Sequence, residues 1–287
     1  MKNGDTMNQY KKTALLWVLL LAICSALLSG CINADMGDFY PHATITTTAT
    51  PDVTVSTTPE ETTAEETTPE ESTTTPEPVK KIKIYIDQGH NPFLPKQDPN
   101  EENKGWNTGA FNAALGLHEP DLTYDFGIRL AEMLEQDDRF EVRLSRSTPE
   151  TILGTDQNSA LDFRVNDATE WGADYFISLH INSFTDSSVR GLEVYTANGD
   201  EVGYAIGYEI LNALAKSTGL RNRGMRDGSD LRVLKNAQMP AALIEMGYLS
   251  NEDDAILLRD SSELFVQGLY NGIQSYFDNL EQETTAE

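Results

Sequence analysis

Alternation of Ile with polar residues in "KIKIYIDQGH" (81–90) predicts a strand that stops at Gly89 and opens into a loop. "PDLTYDFGIRLAEMLEQ" (120–136) carries Leu122, Phe126, Leu130 and Leu134 at helical spacing, with Pro120 and Asp121 suited to a helix start. "FEVRLSR" (140–146) reads as a strand, and "NSALDFRVNDATEWG" (158–172) as a helix closed by Gly172. "DYFISLHINS" (174–183) has the continuous apolar centre of a buried strand, and "GLEVYT" (191–196) follows as another. A helix is expected over 202–217, then a turn-rich stretch, "TGLRNRGMRDGSD". "LRVL" (231–234) and "AALIEMG" (241–247) read as strands, with a last helix over 264–279. Alternating strands and helices predict an α/β fold: a single domain with a mostly parallel or mixed central sheet flanked by helices. No repeat of 20–50 residues is visible.

The termini have a different texture. Lys2, Lys11 and Lys12 precede "ALLWVLLLAICSALLSGC", an apolar run too short for the usual membrane-spanning helix, so residues 1–31 read as an export signal. "LLSGC" resembles a bacterial lipobox, which implies a lipid anchor on Cys31 and a membrane partner; the alternative is an uncleaved membrane anchor. Cys24 lies within the apolar run, so the exported part has no disulfide and no thiolate metal site. Residues 32–80 are dominated by Thr, Pro and Glu; TTPE recurs at Thr57, Thr67 and Thr74, as expected for an extended, disordered linker. The chain would then divide into a signal and anchor (1–31), a linker (32–80), a catalytic domain (81–280) and a disordered acidic tail (281–287).

Charge narrows the partners. There are 46 Asp and Glu against 21 Lys and Arg, a formal net charge of -25. Ten acidic residues and no Lys or Arg lie between Ile32 and Val79. Such a balance argues against nucleic acid.

The candidate chemistry sits at strand ends. Glu245 follows the apolar run Ala-Ala-Leu-Ile, where an unpaired carboxylate would cost several kcal/mol. His90 follows the first strand and His180 ends "DYFISLH". In α/β sheets, sites gather at the carboxyl ends of strands, so parallel strands would bring the three to one rim, and Glu119 could join from a loop. Two imidazoles, a carboxylate and an open position are a zinc-type ligand set, with a further acid free to serve as base. Spacing alone leaves this open, since no HExxH-like local motif exists and histidines at strand ends also occur by chance.

Four ordered blocks carry a resemblance. "IYIDQGH", "NTGAFNAALGLHEPDLTYDFGIRLAEML", "FRVNDATEWGADYFISLHINS" and "NRGMRDGSDLRVLKNAQMPAALIEMGYLSN" are similar to zinc-dependent N-acetylmuramoyl-L-alanine amidases of the Amidase_3 type, across nearly all of 81–280. The resemblance implies Zn2+ held by His90, Glu119 and His180, with Glu245 as general base and then acid. It implies peptidoglycan as substrate, cut between N-acetylmuramic acid and L-alanine, at an extracytoplasmic, membrane-anchored location. Gln88 departs from the family's more usual Pro. The compact interval after "GLEVYT" leaves no room for the plug some relatives carry, while an external activator stays open. A monomer is expected. A binding lipoprotein that lost the chemistry, or a zinc peptidase or deacetylase, are the competing classes.

The remaining polar and aromatic residues have plainer readings. His118 is expected at the surface or in outer contact, and His42 in the linker. Glu193 reads as a strand or rim residue, Arg146 and Arg164 as loop-holding cations, Trp171 and Tyr175 as core. Asn182 is a candidate for substrate binding or loop support. Trp106 and Phe93, in the long segment after His90, are candidates for stacking on substrate.

Overall fold

The apolar runs become strands of one sheet. The computed structural model describes residues 80–93 and 108–286. The strands are β1 (Ile82–Gln88), β4 (Phe140–Leu144), β5 (Tyr175–Asn182), β6 (Leu192–Thr196), β7 (Asn222–Asp227) and β8 (Ala241–Tyr248). They lie in the order β4-β1-β5-β8-β6-β7. β4, β1, β5 and β8 run parallel; β6 is antiparallel to β8 and parallel to β7. The carboxyl ends of β1, β5 and β8 therefore share one rim. A two-stranded hairpin, β2 (Phe111–Asn112) with β3 (Leu117–His118), stands outside the sheet.

Helices cover both faces. They are α1 (Glu119–Leu134), α2 (Gln157–Trp171), α3 (Glu201–Thr218), α4 (Arg232–Asn236), α5 (Glu252–Asp260) and α6 (Ser262–Ala286). Side chains alternate across each strand. Ile84, Ile86, Ile177, Leu179, Ile244 and Met246 face the layer of α1, α3 and α6, where they meet Phe126, Leu130, Ile210 and Phe265. Tyr85, Phe176 and Leu243 face α2 and α4, against Val165, Ala168, Val233 and Leu234. Each such side chain, fully buried, stabilises the fold by about 1.5–3 kcal/mol. Trp171 and Tyr175 are half-buried at the edges of these cores.

α2 starts with a reciprocal cap. The Asp156 carboxylate accepts from Ser159 N at 3.0 Å, and Ser159 Oγ accepts from Asp156 N at 3.0 Å. Gly172 closes it, as the sequence predicts.

Four expectations need correction. "LRVL" is not a strand: residues 232–236 form the short helix α4, whose Val233 and Leu234 both turn into the core of the α2 face. The stretch expected to be turn-rich contains the edge strand β7. It has no apolar alternation, because it pairs on one side only and anchors through arginines. α5 was not expected, although Asn251 caps it by accepting from Asp254 N. The end at 281–287 is not a disordered tail throughout: α6 runs to Ala286, and the Thr284 and Thr285 hydroxyls donate back to the Leu280 and Glu281 carbonyls.

Candidate metal and catalytic site

Chain geometry at the end of β1 decides where His90 goes. Gly89 N donates to Leu179 O at 3.0 Å. A Cβ at Gly89 would stand 2.5 Å from that oxygen and 2.6 Å from His180 Cε1, so only glycine fits. His90 itself has φ 64, the left-handed region that costs a non-glycine residue about 1–3 kcal/mol. Arg164 offsets that cost by donating to His90 O at 2.7 Å and to Gln88 O at 2.9 Å. The guanidinium is buried against Asp87, whose other oxygen accepts from Ser178 Oγ at 2.7 Å. Burial by itself would raise the Asp87 pKa, but Arg164, His180 and Ser178 outweigh it and hold the carboxyl below its ordinary value. Asn91 ties the following loop to Leu153 through two hydrogen bonds of 3.0 Å.

Gly89→Ala is expected to destabilise the fold by about 1–3 kcal/mol through overpacking. Displacement of the His180 imidazole should also reduce bound metal, checked by thermal melting and elemental analysis together.

Gln88 shows why Pro is not needed here. Its N–H donates to Ser145 Oγ at 3.0 Å, its Nε2 to Tyr124 O at 3.2 Å, and its Oε1 accepts from Arg146 N at 3.0 Å. A proline would lose all three, having neither the N–H nor a side-chain amide.

Glu119, expected in the loop before the helix, is the first residue of α1, which starts one place earlier than Pro120. Its N–H donates to Ala110 O at 3.0 Å. Its Oε1 accepts from Ile181 N at 2.9 Å and its Oε2 from Ala110 N at 2.7 Å, so two backbone amides fix the carboxylate. The hairpin β2–β3 delivers the chain to this point. Gly109, at φ 76, makes room: a Cβ there would stand 2.6 Å from Glu119 Oε2. Burial pushes the Glu119 pKa up, yet the two imidazoles hold it far below the carboxylate range.

Three donors converge. His180 Nδ1 lies 2.9 Å from Glu119 Oε1 and 3.1 Å from His90 Nε2, and His90 Nε2 lies 3.1 Å from Glu119 Oε1. Donors about 2.0–2.1 Å from a tetrahedral zinc would stand about 3.3 Å apart. The triangle is close to that size, and two imidazole nitrogens with one carboxylate oxygen suit zinc chemically. The residues fit the ion that the sequence implies.

Glu245 stands beside them. It is the register partner of His180 on the neighbouring strand, and of Glu193 on its other side. Its Oε2 is buried and takes no hydrogen bond among the described residues. Burial, then the charges of Glu119 and Glu193, raise its pKa well above the ordinary value.

The other candidates fall as follows. Asn182 ends β5, where the register slips after His180; its side-chain oxygen accepts from Ser183 N at 2.8 Å and its carbonyl from Leu249 N at 2.8 Å. His118 is not one of the three donors: its ring stacks on Phe93 and Phe111 with centroids 4.7 and 4.3 Å away. Arg146 is buried, donates to Pro120 O and lies over the Tyr124 ring; burial, then Arg164, lower its pKa to about 10. Among the described residues it meets no carboxylate directly, unlike Arg164. Trp106, Cys31 and His42 lie outside the described residues. Sequence reasoning missed Asp87 as the anchor of Arg164, although its phase with buried Tyr85 was a readable signal. It also passed over Arg223 and Arg226, which pair with Glu193.

Larger hollows lie elsewhere. One of about 700 Å³ is lined by Asn212, Lys216, Gln274 and Asp278 of α3 and α6, and one of about 400 Å³, lined by Asn198, Asp200, Glu201 and Asp227, sits at the opposite end of β6 from Glu193. A pocket of about 50 Å³ between α2 and the two imidazoles belongs to the site itself. Donor geometry, not volume, marks the chemistry.

Known proteins share this arrangement of sequence and fold. Residues 84–275 match the Amidase_3 family, described as N-acetylmuramoyl-L-alanine amidase. The chain is 32% identical over 193 residues to the N-acetylmuramoyl-L-alanine amidase CwlM of Bacillus licheniformis, covering 67% of this chain and 65% of that protein's length. It is also similar to the catalytic domain of CwlV, an N-acetylmuramoyl-L-alanine amidase from Bacillus (Paenibacillus) polymyxa, with 30% identity and a TM-score of 0.57 over 69% of this chain and 98% of that one. A third similar structure is the CwlD amidase of Clostridioides difficile in complex with the GerS lipoprotein, at 26% identity and a TM-score of 0.57, covering 69% of this chain and 99% of that chain.

Proposed function

Since the chain belongs to the N-acetylmuramoyl-L-alanine amidase family, we propose that it hydrolyses the amide between N-acetylmuramic acid and L-alanine in peptidoglycan, using zinc held by His90, Glu119 and His180. The observation that carries this reading is the convergence of those three donors next to Glu245, from four separate segments of the chain. Zinc, once bound, supplies Lewis acidity that makes hydroxide available near neutral pH and polarises a carbonyl. Two backbone amides hold the Glu119 carboxylate, and Arg164 holds the turn that carries His90, so the ligand set is ordered before any ion arrives.

Glu245 moves the proton. Among the described residues its buried Oε2 accepts no hydrogen bond, and burial, then the charges of Glu119 and Glu193, raise its affinity for a proton; the positive charge of bound zinc would offset that rise and leave the carboxylate ionised to accept. It takes a proton from the attacking water and returns it to the amide nitrogen, which leaves as the amine of L-alanine. Without that second step the amine could not depart.

Positioning falls to the N-terminal part. A lipid on Cys31 and an extended 32–80 linker would hold the domain of 81–280 out from the membrane, toward the wall. Among the described residues no helix is long and apolar enough to cross a membrane. CwlD is seen with a separate lipoprotein; here anchor and enzyme would share one chain, with an external activator as a further partner to test.

Mass spectrometry of muropeptides treated with the full-length chain tests the function. Intact stem peptides with a free L-alanine amine are expected, lost on chelation and restored by zinc. Cleavage at another bond, or indifference to the chelator, would overturn the assignment.

A further inference from the structure

Two arginines are held by Glu193, the strand neighbour of Glu245, where the sequence shows only turn residues. Glu193 is buried on β6, and its Oε1 accepts from Arg223 Nε at 2.9 Å and from Arg226 Nη2 at 3.0 Å. Its Oε2 accepts from the hydroxyls of Tyr248 at 2.9 Å and Tyr195 at 3.2 Å. Arg226 Nε adds a fifth bond at 3.2 Å. Burial would raise the Glu193 pKa, but Arg223, Tyr248 and Arg226 lower it further. A carboxylate so fully occupied is a poor base and a good anchor. It orients two guanidinium groups, one of them also lying 5.6 Å over the Tyr248 ring. Their side chains remain 24% and 42% exposed, so both keep N–H groups within reach of a ligand.

Position gives these cations a partner. Along the rim, His180 pairs with Glu245 and Glu245 with Glu193, each one strand further from the metal donors. In the proposed reaction Glu245 protonates the departing amine, which places the L-alanine nitrogen at Glu245. If the glycan occupies the His90 side, the stem peptide runs over Glu193 toward β7. The residue after L-alanine in the stem is a D-glutamate linked through its γ-carboxyl, so its α-carboxyl is free or amidated. That group lies about 6 Å from the alanine nitrogen, not far from the strand spacing of about 4.8 Å.

We propose that Arg223 and Arg226 form the subsite for this free α-carboxylate and make the enzyme select stems whose second residue is not amidated. The inference rests on the amidase function and on the direction in which the peptide leaves. It explains why a chain of net charge -25 gathers cations at this rim. The planar, fork-like donor set of arginine matches a carboxylate where a point charge would not.

The test compares two substrates with the full-length, zinc-loaded chain: N-acetylmuramoyl-L-alanyl-D-glutamate and its D-isoglutamine counterpart. Wild type should favour the acid by about 10- to 100-fold in kcat/KM, the range expected of hydrogen bonds to an ionised partner. In Arg223→Gln and Arg226→Gln the ratio should fall toward one, mainly through KM. Arg226→Lys, which keeps a cation near Glu193 and loses the fork, should give an intermediate ratio, and it serves if either Gln variant fails to fold. Calorimetry with the product dipeptides, L-Ala-D-Glu against L-Ala-D-isoglutamine, should show the same preference without turnover. Equal kcat/KM for both substrates in wild type, or an unchanged ratio in folded variants, overturns the subsite and leaves the amidase function standing. Cleavage of neither substrate overturns the function and the subsite with it.

Discussion

Glu245→Gln should reduce turnover of muropeptides by about 10²–10⁴-fold, the usual contribution of a positioned acid-base group, while bound zinc stays near one ion per chain. The substitution is nearly isosteric and removes only the capacity to carry a proton. His180, the strand neighbour of Glu245, keeps its place through β5, and Glu119 keeps both backbone amides. Stability should hold or rise slightly. In the wild type one carboxyl oxygen is buried without a hydrogen bond among the described residues, and the group feels the charges of Glu119 and Glu193. Single-turnover kinetics and elemental analysis on one preparation separate the outcomes. Near wild-type cleavage would remove Glu245 as base, whereas loss of zinc together with activity would make it a ligand or a support instead.

Arg164→Met should cost about 3–5 kcal/mol of stability, because it leaves Asp87 as an uncompensated buried charge. The two side chains are 2% and 1% exposed, so solvent does not screen the loss. Chemical denaturation measures it. The pH dependence gives an independent check. Asp87 has a folded pKa below its unfolded value of about 3.9. Its paired charge therefore contributes stability above that pH, and the contribution disappears as pH falls through the folded value. The gap between wild type and variant should narrow in acid; a constant gap would mean that Arg164 acts through packing alone. The double variant Arg164→Met with Asp87→Leu should recover most of the stability, since an apolar pair can replace a buried ion pair. It should not recover zinc affinity, because nothing then donates to the carbonyls of Gln88 and His90.

The difference between legible and hidden parts of the fold follows from how local each signal is. β1, β5 and β8 were readable because each carries its own apolar run, and α1 because Phe126, Leu130 and Leu134 repeat at helical spacing. α4 was not. With five residues and two adjacent apolar positions, "LRVL" has too little length for a period, and its helical bonds, such as Lys235 N to Leu231 O at 2.8 Å, only form once Val233 and Leu234 have a core to enter. β7 had no pattern of its own, because its identity comes from pairing with β6 and from arginines held by Glu193. α5 was legible and overlooked: Asn251 followed by Glu252, Asp253 and Asp254 is a cap with an acidic first turn.

Residue types and strand ends, by themselves, determined that His90, His180 and Glu245 could meet on one rim, because parallel strands carry their carboxyl ends to the same side. Whether Glu119 could join them was decided only in three dimensions. Its place depends on a glycine that leaves space at 109, a hairpin that turns the chain, and an amide lent by β5. The same holds for Glu193 and its arginines, which lie 30 and 33 positions apart along the chain and touch across two strands. Hydrophobic periodicity is a property of neighbours in sequence, so it can place elements. Donor distances and charge pairs arise between elements, so only packing sets them.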